Sequence, residues 1–333
     1  MRAIEIGAPG GLDHLRIVEK PDPTPGAGEV LLRIRAVSLN ARDVGMAGRA
    51  TETTVSPFSD ACAIVESVGD GVSRVKPGDR VSTIFYPKWL GGKLTAEKRS
   101  VTLGGAVGTG SELLVISEEA ICKVPDFLSD HQVATLTCAG VTAWHALMVA
   151  ANAAAGETVV LQGTGGVSIF ALQFAKAAGL ETVITSSSSE KLARAKDLGA
   201  SHTINYRDHP EWSKEVRGLT NGRGADAVIE VGGAGTLQES LKSTAIGGTV
   251  AIVGVLTGAQ EPLPIPTLMG NTLHLRGVTV GSREMFEDMC TAIQSHRIEP
   301  VVDQVFLFDD VRAAYDAMKS GDRFGKIVID FSR

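Results

Sequence analysis

The stretch Thr158-Val159-Val160-Leu161-Gln162-Gly163-Thr164-Gly165-Gly166-Val167-Ser168 decides the fold of this chain. Its first five residues form a short apolar run, which predicts a buried strand, and a glycine-rich turn follows directly. The turn has the spacing G-x-G-x-x-G, with Ser168 in place of the third glycine, and it opens a helix predicted over 168–179. Gly163 permits a tight turn, and Gly165 lets the backbone approach a pyrophosphate, whose charge suits the free N–H groups of a helix start. The stretch therefore predicts a dinucleotide-binding turn between a strand and a helix.

Three further apolar runs follow the glycine turn, over 181–185, 227–231 and 249–253. They alternate with helical segments of 10–15 residues. Nearly continuous Val and Ile in such runs indicate strands that are buried on both faces, as in a parallel sheet covered by helices. With right-handed crossovers, these units predict a doubly wound α/β domain over 128–270.

The flanking parts of the chain have a different pattern. Residues 29–37, 61–68 and 79–85 alternate in steps of two between turns rich in Gly and Pro, which predicts an antiparallel β-rich domain. Strand patterns return after residue 270, from 273–280 to a last strand over 326–330. The nucleotide domain is therefore predicted as an insertion within a domain made of 1–127 and 271–333. Residues 87–110 are predicted to form a long loop, a feature that is usually functional or mobile.

Composition excludes several classes of protein. The 333 residues carry 32 basic and 38 acidic side chains, interspersed, with a net charge of −6. The basic residues are therefore not clustered along the sequence, as they are in a typical nucleic-acid binder. No apolar run reaches the roughly 18–20 residues that cross a bilayer, so we expect no membrane partner and a cytoplasmic location. The four cysteines (Cys62, Cys122, Cys138, Cys290) contain no CxxC pair, which argues against a disulfide framework or a zinc ribbon.

The end of the second strand of the nucleotide domain indicates the cofactor. An NAD site has Asp or Glu roughly 20 residues after the glycines, where it binds the adenosine ribose. Here Ser186-Ser187-Ser188-Ser189 follows the strand, and Lys191 comes shortly after. Hydroxyls and an ammonium can hold a 2′-phosphate, which a carboxylate would repel, and Tyr206-Arg207 adds a ring and a cation near the adenine. NADPH is therefore predicted, although Ser187 and Glu190 also match a helix capping box.

Motifs spread along the chain carry a family resemblance. They are Gly28-Glu29-Val30, 38–43, 65–69, 75–81, Cys138-Ala139-Gly140-Val141-Thr142-Ala143-Trp144, the glycine turn, Leu198-Gly199-Ala200, Ile204-Asn205-Tyr206-Arg207 and Gly325-Lys326-Ile327-Val328. Over nearly its whole length the chain resembles the medium-chain dehydrogenase/reductases, and within them the zinc-independent quinone oxidoreductase-like branch. The resemblance implies an α/β protein with a Rossmann NADPH-binding domain and a GroES-like catalytic domain, and it implies a homodimer.

The departures from that family concern metal. Its zinc members carry Cys at the position of Asn40 and a His-Glu pair at Ser59-Asp60. They also have four closely spaced cysteines in the loop after Val81, none of which occurs here before Leu114. Zinc requires a tetrahedral set of thiolate, imidazole or carboxylate ligands, and Cys138 alone cannot supply one. We therefore expect no zinc.

The resemblance also implies a set of residues that line the cofactor. Thr142 would lie against the nicotinamide, and the serines with Lys191 and Tyr206 would hold the 2′-phosphate. For the later glycines, a turn role is as plausible as contact. The full set is Asn40, Thr142, Gly163, Thr164, Gly165, Gly166, Val167, Ser186, Ser187, Lys191, Tyr206, Val231, Gly232, Gly254, Val255, Leu256, Gly281, Ser282, Phe324, Gly325 and Lys326.

Without a metal, only hydrogen bonds stabilise charge on the substrate oxygen, which favours conjugated acceptors that spread this charge. We expect hydride transfer from NADPH to a small-molecule carbonyl substrate such as a quinone, an enone or an activated aldehyde. The catalytic candidates are Asn40, Tyr86 and Thr142, although Tyr86 could instead form an apolar wall with Phe85 and Trp89. Two alternatives stay open. One is an enoyl-thioester reductase or alcohol dehydrogenase-like enzyme of a dedicated pathway, and the other is a non-enzymatic NADPH-binding sensor or structural protein.

Overall fold

The computed structural model of the chain describes residues 1–49 and 52–332. The strands are β1 (Arg2–Ile6), β2 (Leu15–Glu19), β3 (Glu29–Ser38), β4 (Asp60–Val68), β5 (Arg80–Thr83), β6 (Leu113–Ser117), β7 (Ile121–Lys123), β8 (Thr158–Gln162), β9 (Glu181–Ser186), β10 (His202–Asn205), β11 (Ala225–Glu230), β12 (Thr244–Ile252), β13 (His274–Gly277), β14 (Val302–Leu307) and β15 (Lys326–Asp330). The α-helices are α1 (Ala41–Ala47), α2 (Asp130–Val133), α3 (Val141–Trp144), α4 (Gly166–Ala177), α5 (Ser189–Leu198), α6 (Trp212–Leu219), α7 (Leu237–Ser243), α8 (Ile265–Gly270), α9 (Arg283–His296) and α10 (Val311–Ser320). Two π-helical segments, Leu136–Gly140 and His145–Ala150, flank α3.

Strands β8 to β13 form a six-stranded parallel sheet in the order β10-β9-β8-β11-β12-β13. Counted from β8, this order is 3-2-1-4-5-6, the arrangement of a doubly wound dinucleotide fold. All five residues of β8 are buried. Val160, Val183, Val228 and Val250 lie in one core cluster and come from four neighbouring strands. The predicted Rossmann sheet is confirmed, and the Val-rich runs form it because they can be buried on both faces.

The other large sheet has seven strands. Its order is β14-β15-β3-β4-β5-β7, and β6 also pairs with β3. The pairs are antiparallel except β14 with β15, which is parallel. The last strand, β15, pairs with β3 at Val328 and Ser38, and Ile327 and Ile329 join the core formed by Leu32 and its neighbours. The final strand therefore belongs to the sheet built by the first third of the chain.

The chain divides into two compact units, residues 1–141 with 280–333, and residues 142–279. These limits fall later in the sequence than the predicted limits at 127 and 270. The segment Leu136–Gly140 stays with the first unit because it packs on β4 and β5. Thr137 secures it by donating its hydroxyl to the Thr83 carbonyl at 3.0 Å.

Several predicted element ends differ from the structure. The strand predicted over 273–280 is only β13, since the chain leaves the sheet after Gly277 and Val280 adopts a φ of +42°. The helix predicted over 168–179 is α4, which begins two residues earlier. Gly179, with a φ of +74°, lies just beyond its end. A left-handed residue cannot continue an α-helix, so the glycine ends it.

Residues 87–110 contain turns, bends and one isolated bridge between Leu103 and Val107. Within the described part of the chain, none of the helices is long and apolar enough to cross a membrane. The four cysteines are free thiols, and Cys62, Cys122 and Cys290 are buried.

Candidate nucleotide-binding and active-site residues

The glycine turn joins β8 to α4. Gly163 has a φ of +68°, so its backbone requires glycine, although a Cβ would meet nothing within 4 Å. Gly165 caps α4 without a side-chain hydrogen bond. The amides of the first helical turn have no carbonyl four residues earlier in the helix, so they suit an anion. The Ser168 hydroxyl donates to the Gln162 carbonyl at 2.5 Å and ties the helix start to the strand end.

The serine cluster lies where β9 ends, next to β10. Asn205 pairs with Ser186 across the two strands, and the amide of Tyr206 donates to the Ser186 carbonyl at 3.1 Å. Tyr206 is 41% exposed, so its ring borders this edge of the sheet. The structure thus brings Ser186 and Tyr206 together through their backbones, and their binding of a 2′-phosphate stays a prediction.

The cap of α5 differs from the prediction. Ser188, not Ser187, is the N-cap, and its hydroxyl accepts from the amide of Lys191 at 3.3 Å. The capping box expected from Ser187 and Glu190 is therefore wrong, because the helix begins one residue later than that motif requires. Ser187 is half-buried and is not used as the helix cap.

A buried carboxylate supports the loop after β11, and the sequence analysis missed it. Glu230 is the last residue of β11 and is fully buried. Gln162 occupies the matching end of β8, since Ile229 pairs with Leu161. Five groups donate to the Glu230 carboxylate: Gln162 Nε2 (2.8 Å), Gly232 N (2.7 Å), Gly233 N (2.9 Å), Thr236 Oγ1 (2.6 Å) and Ser240 Oγ. Polar residues at the ends of apolar strands were the signal that could have revealed this network.

Glu230 and Gln162 hold the loop that contains predicted cofactor residues. Gln162 Oε1 accepts from the amides of Val231 at 3.1 Å and Gly232 at 3.3 Å. Beside this loop, Gly254 packs so closely that a Cβ would lie 2.4 Å from the Val231 carbonyl oxygen. Gly254 is therefore required by packing, whatever else it contacts.

In the first unit, a buried lysine meets the end of β3. Lys326 is the first residue of β15 and is 3% exposed. Its ammonium donates to the Leu39 carbonyl at 2.5 Å and to Asn40 Oδ1 at 2.6 Å, and it lies 3.8 Å from Asp60. The backbone amide of Asn40 in turn donates to the Asp43 carboxylate at 2.7 Å. The structure thus unites two predicted site residues, Asn40 and Lys326, through a direct hydrogen bond.

Asp60 is the fully buried anion of this cluster. Its carboxylate accepts from the hydroxyls of Ser38 at 3.0 Å and Ser59 at 2.6 Å. Burial lowers the pKa of Lys326, and the negative charge of Asp60 opposes that shift. Burial raises the pKa of Asp43 to about 6, against the nearby charge of Arg42.

Tyr86 follows β5 in an aromatic cluster. Its ring meets Phe85 edge-on at 4.8 Å and lies 6.2 Å from Trp89, and all three side chains are buried. The Arg42 guanidinium stacks over Phe85 at 4.5 Å. This packing fits a wall, and a role for the Tyr86 phenol stays a prediction.

Two family models each match one segment of the chain. Residues 26–126 match the alcohol dehydrogenase GroES-like domain, and residues 166–295 match the zinc-binding dehydrogenase family. A zinc-type alcohol dehydrogenase-like protein of Schizosaccharomyces pombe is 39% identical, over 96% of each chain. The chain belongs to the medium-chain dehydrogenase/reductase family. It is an oxidoreductase of that family.

Two further members bear on the activity. A quinone oxidoreductase of Rattus norvegicus is 28% identical, over 99% of this chain and 97% of that protein. A mycobacterial protein solved in complex with NADPH has a TM-score of 0.84 and 28% identity, over 99% of this chain and all of that one.

The description of the matching family, zinc-binding dehydrogenase, implies a zinc ion. The cluster of Asn40, Asp60 and Lys326 does not fit such an ion. The resemblance implies that Asn40, Ser59 and Asp60 occupy the positions of the zinc ligands. Among residues 1–49 and 52–332, no group of three or more His, Cys, Asp or Glu could hold a metal. The Asn40 oxygen already accepts from the Lys326 ammonium, whose positive charge opposes a second cation. Burial also raises the pKa of the Cys138 thiol, which disfavours the thiolate that zinc binds.

The remaining predicted positions of this dehydrogenase lie in both units. A Cβ at Gly281 would lie 2.4 Å from Val141 Cγ2, and Ser282 caps α9. Gly325 has a φ of +96°, and a Cβ there would lie 2.5 Å from the Val301 carbonyl oxygen. These three positions have structural roles of their own. In the second unit, Thr142 is buried, whereas Val255 and Leu256 are exposed by 59% and 63%.

We expect Glu230→Gln to lower the free energy of unfolding of this dehydrogenase by about 2 kcal/mol. An amide cannot accept from all five donors, and a hydrogen bond to a charged group is worth roughly 1.5–3 kcal/mol. Urea unfolding followed by circular dichroism measures the change. The matched control is Glu211→Gln, whose side chain is 65% exposed, and it should stay within about 0.5 kcal/mol of wild type. Equal stability of the two variants would contradict the role given to Glu230.

Proposed function

We propose that this oxidoreductase transfers hydride from NADPH to a conjugated carbonyl compound without a catalytic zinc ion. The observation that carries the proposal is the cluster of Asn40, Asp60 and Lys326. By resemblance, Asn40 and Asp60 stand where zinc members of the family have metal ligands, and here both lie beside the buried Lys326 ammonium. Hydrogen-bond donors alone stabilise a conjugated acceptor better than a simple alkoxide, because conjugation spreads the negative charge.

The residues of the second unit fit a dinucleotide. The first-turn amides of α4, from Gly166 to Ser168, would hold the pyrophosphate, because a helix start favours an anion. Ser186, Ser187, Lys191 and Tyr206 would bind the adenosine 2′-phosphate. When bound, the reduced nicotinamide supplies the hydride.

Thr142 would contact the nicotinamide, and the loops with Val231, Gly232 and 254–256 would line the cofactor. Gly281, Ser282, Phe324 and Gly325 would contribute from the first unit. At the acceptor, the Asn40 amide would donate to the substrate oxygen, and Tyr86 would orient or protonate it.

The serine cluster supports a preference for NADPH over NADH. We expect kcat/KM for NADPH to exceed that for NADH by about 10-fold or more, a difference of about 1.4 kcal/mol in transition-state stabilisation. Ser187→Asp should reverse or abolish the preference, because a carboxylate repels the 2′-phosphate and accepts from a ribose hydroxyl. Steady-state kinetics with both cofactors measure this. Ser100→Asp adds the same charge at an exposed position of the first unit and should leave the ratio unchanged. A wild-type preference for NADH would contradict the proposal.

The proposed zinc-independent reaction predicts which substrates react. Quinones and α,β-unsaturated ketones should be reduced with NADPH at rates that exceed the oxidation of ethanol or benzyl alcohol with NADP⁺ by at least about 100-fold, roughly 2.7 kcal/mol in barrier. A chelator should leave the rate of quinone reduction unchanged.

The zinc-independent reaction would be refuted by alcohol oxidation that is faster than quinone and enone reduction, or by one tightly bound zinc per chain in elemental analysis. Preference for an enoyl thioester would favour that alternative, and tight NADPH binding with no acceptor reduced would favour a sensor.

A homodimer formed at β13 is part of the proposal, as is a cytoplasmic location. β13 is the last strand of the parallel sheet, and edge strands can pair with a second chain. Exposed apolar side chains lie in the same unit, among them Ile246 (76%), Ile265 (54%) and Met269 (74%). The Ile246 segment adjoins the end of α8, because the Gly247 amide donates to the Asn271 carbonyl at 2.8 Å.

We expect the double variant Ile246→Glu with Met269→Glu to be monomeric, whereas the wild type is dimeric. Buried carboxylates would carry a large desolvation cost in an apolar interface. Light scattering coupled to size exclusion gives both masses. Val107→Glu, at a 41% exposed apolar site of the first unit, should remain dimeric. A monomeric wild type, or a double variant that stays dimeric, would refute this interface.

A further inference from the structure

The hydrogen bond between Lys326 and Asn40 fixes which way the asparagine amide faces. An ammonium has three N–H donors and no acceptor, so the Asn40 atom 2.6 Å from Lys326 Nζ must be the amide oxygen. The other end of the side chain, Nδ2 with its two N–H groups, must then face away from the lysine. Lysine chemistry therefore determines the amide orientation without further assumption.

Asn40 Nδ2 is buried and lacks a hydrogen-bond partner among residues 1–49 and 52–332. The residue as a whole is 7% exposed. An unsatisfied buried amide is costly, and such groups in native proteins call for a ligand, an ordered water or a functional role. A carbonyl oxygen of a substrate is an acceptor that would satisfy it.

We infer that Lys326 is a positioning residue that orients and polarises the Asn40 amide, so that Asn40 Nδ2 donates to the substrate carbonyl oxygen. This inference rests on the proposed function, because it names the donor for that reaction. A cation on the amide oxygen draws electron density from the nitrogen and strengthens its N–H donors. The stronger donor gains most when the substrate oxygen becomes negative, so it lowers the barrier more than it aids binding.

The surroundings of Lys326 hold the ammonium in place. The Leu39 carbonyl accepts a second hydrogen bond at 2.5 Å, and Asp60 lies 3.8 Å away. Both oxygens of Asp60 already accept from serine hydroxyls, at Ser38 and Ser59, which fixes the carboxylate. The backbone amide of Asn40 donates to the Asp43 carboxylate, which anchors the main chain of Asn40. The asparagine is thus held from both ends.

The first test compares Lys326→Met, Asn40→Ala and the double variant with wild type, using NADPH and the best quinone acceptor. We expect each single variant to lower kcat by about 10-fold or more, as loss of a donor to a developing oxyanion does. The NADPH Kd, from nucleotide fluorescence, should change by less than about 3-fold, equivalent to roughly 0.65 kcal/mol. The double variant should lose no more than Asn40→Ala alone, because both changes remove one function.

Lys123→Met is the matched control, since that lysine is 62% exposed on the side chain and pairs with Asp79 in the same unit. It should keep wild-type kcat. A raised NADPH Kd with unchanged kcat in Lys326→Met would make the lysine a cofactor ligand and overturn the inference. Losses in kcat that simply multiply in the double variant would also overturn it.

Asn40→Asp keeps the test valid if Lys326→Met does not fold. It leaves the ammonium with an ion-pair partner but removes both Nδ2 donors. We expect its kcat to fall by about 10-fold or more while the protein stays folded. Wild-type kcat in Asn40→Asp would overturn the inference.

A second readout does not depend on activity. The chain has five asparagines, Asn40, Asn152, Asn205, Asn221 and Asn271, so ¹⁵N-asparagine labelling gives five side-chain amide pairs. Asn40→Ala identifies the Asn40 pair, and Lys326→Met should shift that pair well beyond the other four. No shift would overturn the positioning role. A wild type that reduces no acceptor would instead refute the proposed function, whatever the amide spectrum shows.

Discussion

A buried ammonium must be surrounded by oxygen atoms, and this constraint organises the first unit. Lys326 finds its partners at Leu39, Asn40 and Asp60. A buried charge is tolerated only when hydrogen bonds and an opposite charge compensate its desolvation. The three partners come from residues at the ends of β3 and β4, and β15 carries the lysine. Because β15, β3 and β4 are neighbours in one sheet, the strand order itself brings the cluster together.

The second unit satisfies the same requirement with the opposite charge. Glu230 is fully buried at the end of an apolar strand and is surrounded by donors from Gln162 and the following loop. In both units the charged residue is a terminal residue of a strand, and its partners include backbone groups of a turn: the Leu39 carbonyl after β3 for Lys326, and the amides of Gly232 and Gly233 after β11 for Glu230. The Glu230 carboxylate accepts from five donors, and a buried polar group satisfied in this way rigidifies the structure around it. The loops beside them are therefore held by charge as well as by packing.

Much of the fold follows from sequence patterns, and the reasons are physical. The Val-rich run 158–162 and the glycine spacing after it depend on local backbone geometry, so the strand, the turn and the sheet type could be predicted. The ends of helices and strands were less predictable, because single backbone angles decide them. Ser188, not Ser187, caps α5, and β13 is shorter than the strand predicted over 273–280.

The candidate site could be predicted from sequence patterns only in part. Motifs named Asn40 and Lys326 separately, but their hydrogen bond joins residues 286 positions apart. Glu230 carried no motif at all, and only its place at the end of a buried strand distinguishes it. Pairings of this kind depend on strand order and register, which a single sequence does not specify.

The interrupted first unit has a consequence for synthesis of the chain. Residues 142–279 form a compact unit from one continuous segment, whereas the other unit needs residues 280–333 to complete its sheet. Translation proceeds at about 5–20 residues per second, so the continuous unit 142–279 can fold on the ribosome while β3 still lacks its neighbour β15. During those seconds the edge of β3 and the apolar surface that Ile327 and Ile329 later cover remain open, and an unpaired strand edge of this kind can pair with another chain.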